Sequence, residues 1–424
     1  MATPEVLNPS PSHRRLNEGR PPTRVQVLLT ACFGVFVGFG SLFISTFGVF
    51  LKPLAATFGW TRSQVSIGFT AAVLSVAICS PFLGRLLDRF NARKVVLPCT
   101  LIYGLGFASL SLLTPHLWHF VLVLTLMGIV GNGTTQLGYA RVVSAWFYQS
   151  RGRALAVLMA GSGVGFMILP PLAQALISNY GWRAAYAVLG GMVLITGLPL
   201  GFAFLYGPGT REAKPAQRQI AGIWRDAFSL RFLMILTGLL LFSLATNGLN
   251  THWAALLTDR GMTPATAAAV LSAAGFATLA SKLSTGYFID RFFAARVVAC
   301  LFAVCALGFA AITYAHAIWI AFGAAALVGI GMGAESDAVP YLLTRYFGLE
   351  RFSELYGYTW CVYAVAGGAG PLLAGAIFDH TGSYQTAWLI FLAMVLAAGV
   401  IFAALPGFPN NPTGATQTGA RTYD

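Results

Sequence analysis

Between residues 25 and 405 the chain is an almost unbroken series of apolar runs, each long enough to cross a bilayer. A hydrocarbon core about 30 Å thick takes about 20 helical residues. Twelve such runs are legible: 25–51, 62–86, 95–113, 118–144, 154–178 and 184–206, then 231–256, 265–288, 297–314, 318–344, 354–377 and 384–405. Only 9% of the residues are charged and 57% are hydrophobic, whereas an ordinary soluble domain carries about 25% charged residues. Such a chain cannot cover itself with a polar surface. That excludes a water-soluble enzyme, a disordered chain, a nucleic-acid binder and a disulfide scaffold. The first run, Val25 to Leu51, is longer than the roughly 7–15 residues of a signal-peptide core and lacks a small-x-small cleavage site, so it reads as an uncleaved span.

The charges that remain are placed by side. With the amino terminus in the cytoplasm, the tails, the even-numbered loops and the linker hold 20 Lys and Arg, Arg231 included. The other side holds four, Lys52, Arg62, Arg183 and Arg260, while Arg141 and Lys282 fall inside spans. This bias is the positive-inside pattern. It predicts a multi-pass protein of the cell inner (plasma) membrane with both termini cytoplasmic, and it makes the net charge of +13 a topology device rather than a nucleic-acid patch. The side rich in Lys and Arg is called the basic face below, and the other side the opposite face.

Several chemistries drop out. The six cysteines lie in apolar stretches with no C-x-x-C spacing, so free thiols are expected and no metal. Gly161, Gly163 and Gly165 sit inside an apolar run that Pro170 and Pro171 should bend, which suits close helix packing rather than a phosphate loop. No G-x-x-x-x-G-K-S/T occurs, so neither ATP nor any other cofactor is expected.

The chain is written twice. Gly59, Thr61, Gly84, Asp88 and Arg89 recur as Gly261, Thr263, Gly286, Asp290 and Arg291 at a constant offset of 202. Repeated halves that can rock about a midplane site suit alternating-access transport. The expected organisation is a tail (1–24), a six-helix bundle (25–206), a cytoplasmic linker (207–230), a second six-helix bundle (231–405) and a tail (406–424). The fold class is an all-α membrane protein of twelve transmembrane helices in two pseudo-symmetric bundles.

The segment GRLLDRFNARK (84–94) and its looser copy GYFIDRFFAAR (286–296) resemble the G-x-x-x-D-R/K-x-G-R-R/K signature of the major facilitator superfamily, with Asn91 where a second Gly is usual. The resemblance implies a cytoplasmic charge lock formed by Gly84, Asp88, Arg89 and Arg93, and more weakly by Gly286, Asp290 and Arg291. A plain positive-inside anchor would account for the Arg residues but not for the paired Asp. Further stretches, GVFLKPLAATFGWTRSQVS (48–66), WFYQSRGRALAVLMAGSGVG (146–165) and GAESDAVPYLLTRYFG (333–348), are similar to the monocarboxylate and oxalate–formate transporter branch.

Lys282 is the most informative single residue. A Lys at that depth costs roughly 2.5–3.5 kcal/mol on insertion scales and ordinarily faces a cavity. Thr278 and Thr285, at i−4 and i+3, put hydroxyls on its face, a combination suited to holding a carboxylate. In the resembling families a cation eight residues before the motif acid binds the substrate carboxylate, and Lys282 to Asp290 has that spacing. An internal ion pair with Glu335 or Asp337 is the alternative. The span-one Lys and span-eight Asp of the proton-coupled members are replaced by Ser45 and Thr278.

Asp337, Tyr341 and Arg345 form one stripe on span ten, with Glu335 on another side. Either acid can carry a coupling proton or make a structural bridge to Lys282 or Arg141. Asn132, Gln136 and Tyr139 read as a pore-lining stripe on span four, with Arg141 beside it as a gate partner. Ser41, Ser45 and Gly48 align on span one. Asn250 and His252 follow Asn247 on span seven; His252 titrates near neutrality or bonds to a neighbouring helix.

The reading that follows is a non-enzymatic secondary transporter of a small organic anion, such as a monocarboxylate, with a proton or counter-anion as the open choice of coupling partner. A proton-driven exporter of amphiphilic metabolites or drugs is the alternative on the same fold. A membrane enzyme or sensor would need a His/Asp/Glu cluster at one depth, and no H-E-x-x-H is present.

Overall fold

A computed structural model describes residues 23–90, 92–147, 151–205, 226–313, 317–348 and 351–408. The side chains of Asp88, Arg141, Ala145, 151–153, Ser336, Asp337 and 352–354 lie outside the described set, as do most of both tails and of the linker. Every regular element among the described residues is helical. With no water in hydrocarbon to satisfy peptide groups, a spanning segment must close its own hydrogen bonds, and the helix supplies them all internally.

Among the described residues, eleven helices are long and apolar enough to cross a membrane. One of them, Ala154–Phe204, has 51 residues, about 76 Å at the helical rise, more than twice a bilayer core. Gly181 breaks it with φ 82° and ψ 163°, so it crosses twice and the crossings number twelve. Spans 1 to 4 are Arg24–Phe58, Arg62–Arg89, Ala92–Leu112 and Leu117–Trp146. Spans 5 and 6 lie either side of Gly181. Spans 7 to 12 are Leu230–Asp259, Pro264–Arg291, Ala294–Thr313, Ile318–Phe347, Phe352–Thr381 and Gln385–Ala403.

The repeated punctuation has a physical basis. Thr61 and Thr263 are N-caps, each side chain accepting a backbone N–H three residues on. Gly59 and Gly261 end the preceding spans with φ 67° and 85°, left-handed angles that a residue with a Cβ resists. Spans 2 and 8 consequently have the same length, 28 residues.

Two spans are not continuous. Span 1 breaks at Val37–Gly38 and passes through a π-helical turn, Phe39–Phe43. Span 4 breaks at Asn132–Thr134, with Thr135 extended. The breaks meet: the Phe39 amide, which has lost its helical acceptor, donates to Thr134 Oγ1 at 3.0 Å. At Gly38 an added Cβ would lie 1.9 Å from the Thr134 carbonyl oxygen, so only glycine permits this approach.

Spans 1–6 pack mainly among themselves, as do spans 7–12; among the described residues the sets meet mainly where span 2 packs on span 11, span 5 on span 8, and Ile44–Phe58 of span 1 on span 7. The other half of span 1, Arg24–Phe36, packs instead on spans 4, 5 and 6 of its own set. The two sets are therefore joined toward the opposite face and diverge toward the basic face along span 1. Gly48 and Gly275 bring backbones together across the junction, where an added Cβ would lie 2.7 Å from Thr251 O and 2.7 Å from Phe166 C respectively.

Gly261→Ala is expected to lower stability by about 1 kcal/mol, the strain of a left-handed L residue. Gly323→Ala, in helix with nothing within 4 Å of the new methyl, should instead stabilise by about 0.5–1 kcal/mol. Melting of the detergent-purified variants should therefore shift in opposite directions.

Candidate functional site

Polar side chains of spans 7, 8, 10 and 11 converge inside the second set. Glu335 of span 10 is buried, and its Oε1 accepts a hydrogen bond from Ser243 Oγ of span 7. The Lys282 ammonium of span 8 acts on it electrostatically. Tyr363 of span 11 interacts with both Glu335 and Asn247, and Asn247 donates to the Ser243 carbonyl at 2.8 Å. Lys282 itself is half-buried. An ammonium and a buried carboxylate thus act on one another within the second set, an arrangement that an entering anion can contest.

The hydroxyl–ammonium–hydroxyl face of span 8 does not form as expected. Thr278 stays half-buried, its hydroxyl donating to the Ala274 carbonyl at 2.8 Å. Thr285 is buried, beside Ser281 Oγ at 3.3 Å, and Ser281 donates to the Ile330 carbonyl of span 10 at 2.7 Å. Gly333 explains this: an added Cβ there would lie 2.6 Å from both Ser281 Cβ and the Thr278 carbonyl. Span 10 comes so close that Thr285 is taken into the interface.

The span 4 stripe is also corrected. Asn132 opens the break and Gln136 and Tyr139 follow it, so helical spacing does not carry across. Asn132 is buried and donates to the Val76 carbonyl at 2.6 Å; Gln136 donates to Ser162 Oγ at 3.2 Å. Tyr139 is buried against Gly34 of span 1. On span 1, Ser41 donates to the Val35 carbonyl at 2.7 Å and Ser45 is buried with no hydrogen-bond partner among the described residues. Neither lines an open crevice. Asn250 is half-buried where span 7 meets Gly48.

At the basic face Arg93 donates to the Phe202 carbonyl of span 6 and stacks over that ring at 4.5 Å. Arg89, Gly286, Asp290 and Arg291 are exposed and Gly84 is half-buried. Tyr341 is half-buried, and Arg345 is exposed with its guanidinium 4.8 Å from the Phe408 ring. The side chains of Asp88, Arg141 and Asp337, three of the expected partners, lie outside the described residues.

A second polar cluster, absent from the expectations, joins the two sets at the opposite face. Arg62 holds Asp259 in a bidentate pair, Nη1 to Oδ2 at 2.6 Å and Nη2 to Oδ1 at 3.1 Å. Lys52 reaches the same carboxylate at 2.9 Å and Thr258 Oγ1 at 3.0 Å. Asp379 accepts the Arg62 and Ser63 amides at 3.1 and 3.0 Å, capping span 2 from the other set where the helix dipole favours an anion. The Arg62 guanidinium lies 3.6 Å from the Phe378 ring centroid and donates to Tyr384 OH at 2.6 Å. His252, fully buried, contacts Tyr384 OH at 2.8 Å, the Pro371 carbonyl at 2.9 Å and Ser66 Oγ at 3.1 Å. His252 therefore belongs to this junction and not to the Lys282 cluster. Lys52, taken from sequence as a loop residue, is in the helix, because span 1 continues to Phe58. The signal that was available is that Asp259 and Asp379 end spans 7 and 11 at the depth where Lys52 and Arg62 stand.

Twelve crossings in two related sets, joined at one face and parted along span 1 toward the other, with charge held at mid-depth, define a membrane carrier and not an enzyme. The chain belongs to the Major Facilitator Superfamily, whose sequence profile matches residues 31–370 and 252–422. It is similar to monocarboxylate transporter 13 of Rattus norvegicus, 26% identical over 388 residues covering 90% of this chain and 89% of the relative. It is also similar to monocarboxylate transporter 2 of the same species, 26% identical over 408 residues covering 88% and 81%. The crystal structure of the nucleoside transporter NupG superposes with a TM-score of 0.75 at 13% identity, covering 90% of this chain and 99% of that one; that likeness concerns the fold.

Ser243→Ala removes the donor to buried Glu335 and should cost about 1–3 kcal/mol. In a Glu335→Leu background the same change should cost far less. A thermal-melting double-mutant cycle on purified protein measures the difference.

Proposed function

We propose that this secondary transporter moves a small organic anion, most simply a monocarboxylate, with Lys282 as its principal counter-charge. The observation that carries the reading is a half-buried ammonium deep in span 8 whose charge is shared with Glu335. A substrate carboxylate would compete with Glu335 for that ammonium, with Thr278 on the same face of the helix. Lys offers a point charge rather than the flat fork of Arg, which suits a small carboxylate approached from varied angles. Two near full-length relatives named as monocarboxylate transporters support the substrate class.

In this reading the basic face is cytoplasmic with both termini on that side, which the charge bias supports, and the membrane is the cell inner membrane. The two bundles, 25–206 and 231–405, rock about the site, and the described conformation is open toward the cytoplasm. Asp88, Arg89 and Arg93, with Asp290 and Arg291, would close that side in the alternate state. A proton or a counter-anion supplies the driving force. Burial of Glu335 on Ser243 favours a second reading, a proton-driven exporter of amphiphilic compounds, in which Glu335 rather than Lys282 controls transport.

Lys282→Gln is expected to abolish uptake of labelled small carboxylates into proteoliposomes while melting stays within a few degrees of the parent. The Lys282→Gln/Glu335→Gln double variant, which removes both described charges together, should be equally inactive. Unchanged uptake in either variant would remove the carboxylate assignment. Loss of transport in Glu335→Gln alone, with a pH gradient required, would favour the exporter.

A further inference from the structure

We propose that the junction at the opposite face is a proton-sensitive latch: it closes only around a neutral His252, so acidification shifts the protein toward the state opened at that face. Donor and acceptor bookkeeping carries the argument. The Pro371 carbonyl can only accept, so His252 Nε2, 2.9 Å away, must carry a proton. Ser66 Oγ lies 2.9 Å from the Arg62 carbonyl, which also only accepts, so that hydroxyl spends its proton there and presents a lone pair to the imidazole. Tyr384 OH already accepts from Arg62 Nη1. With a neutral imidazole, that hydroxyl donates to His252 Nδ1 and each group is satisfied. With an imidazolium, Nδ1–H would also donate to Tyr384 OH, leaving the phenol proton facing two donors. Tyr384, which lies between spans, has its pKa pushed up by burial and keeps that proton.

The charges point the same way. Facing or adjoining His252 are Arg62 from span 2, Asp379 from span 11, Tyr384 before span 12, and Asp259 on its own helix with Lys52 of span 1 bound to it. Two cations and two carboxylates balance, and a proton on His252 adds an uncompensated buried charge one hydroxyl away from Arg62. Arg260, itself a cation, offers no relief; its guanidinium donates to the Ile312 and Thr313 carbonyls. His380, beside Asp379, is exposed.

Separation of the sets carries Lys52, Arg62 and Ser66 away while His252, Tyr384 and Pro371 stay together. Water then reaches the imidazole, and the Tyr384 proton can turn to solvent. The closed junction accepts one protonation state and the opened one accepts both, so protons bind the opened state preferentially. If the freed imidazole titrates near its ordinary value of about 6.5, the opened-to-closed ratio rises by up to about thirtyfold between pH 8 and pH 5.

The test is a pair of spin labels at Ala56→Cys and Gln385→Cys, on opposite sides of the junction, in a cysteine-free protein in lipid nanodiscs. A Lys52→Gln background weakens the latch without touching the His252 chain and brings both states into the measurable range. Pulsed dipolar distances are recorded at pH 8 and pH 5. A threefold or greater rise of the long-distance fraction ratio at pH 5 is expected, and it should vanish in His252→Gln, whose amide reproduces the neutral donor–acceptor pair. His252→Asn is the second neutral variant should the Gln protein fail to fold. A smaller change in the parent, or a pH response that survives in the neutral variant, overturns the proposal. No substrate is added, so the outcome is independent of the anion assignment.

Discussion

Hydrocarbon offers no hydrogen bonds, and the rest of the structure answers to that. Each peptide group must be satisfied by its own helix, or by another protein group where the helix breaks. The breaks in spans 1 and 4 obey the rule together: the Phe39 amide finds Thr134 Oγ1, and Gly38 lets the two irregular segments touch. An interruption in either span alone would leave a bare amide in the bilayer.

The same lack of water sorts the few charges within the spans. Glu335 is bearable at mid-depth because Ser243 donates to it and Lys282 compensates its charge. That pair lies wholly within spans 7–12, so its parts stay together when the sets move. The opposite-face cluster divides between the sets: Lys52 and Arg62 come from one, Asp259, Asp379 and Tyr384 from the other. Groups on one set keep their geometry whatever the other set does. A group that must report or resist separation belongs across the boundary. The two clusters have these two placements.

Asp379 shows how economical such a junction can be. Its carboxylate takes two amides at the start of span 2, bonds that span 2 cannot make internally because a helix leaves its first N–H groups unpaired. The same helix start presents Arg62 to Asp259 and Tyr384. A helix end that hydrocarbon would penalise becomes an attachment point, at a depth where the halves can separate into water.

Much of this was legible in the residues. The twelve crossings and their doubling follow from run lengths, from Thr61 and Thr263 as caps, and from Gly59 and Gly261 as stops; the end of span 1 did not, since the helix continues past Leu51 to Phe58. Lys282 and Glu335 stood out because buried charge is rare and expensive. The fates of Thr285, Tyr139, Asn132 and Ser45 did not follow from spacing. Helical periodicity says which residues share a side only while the helix is continuous, and spans 1 and 4 are not. Even on continuous span 8, whether a side is wet or packed depended on how closely Gly333 let span 10 approach. The Arg62–Asp259 pair joins residues 197 positions apart, and only the packing of span 2 against spans 7 and 11 brings them within reach. Sequence alone determined the number of helices, the capped starts of spans 2 and 8 and which charges need partners; the tertiary structure decided which partner each charge found, because partnership depends on distances between helices that no local pattern encodes.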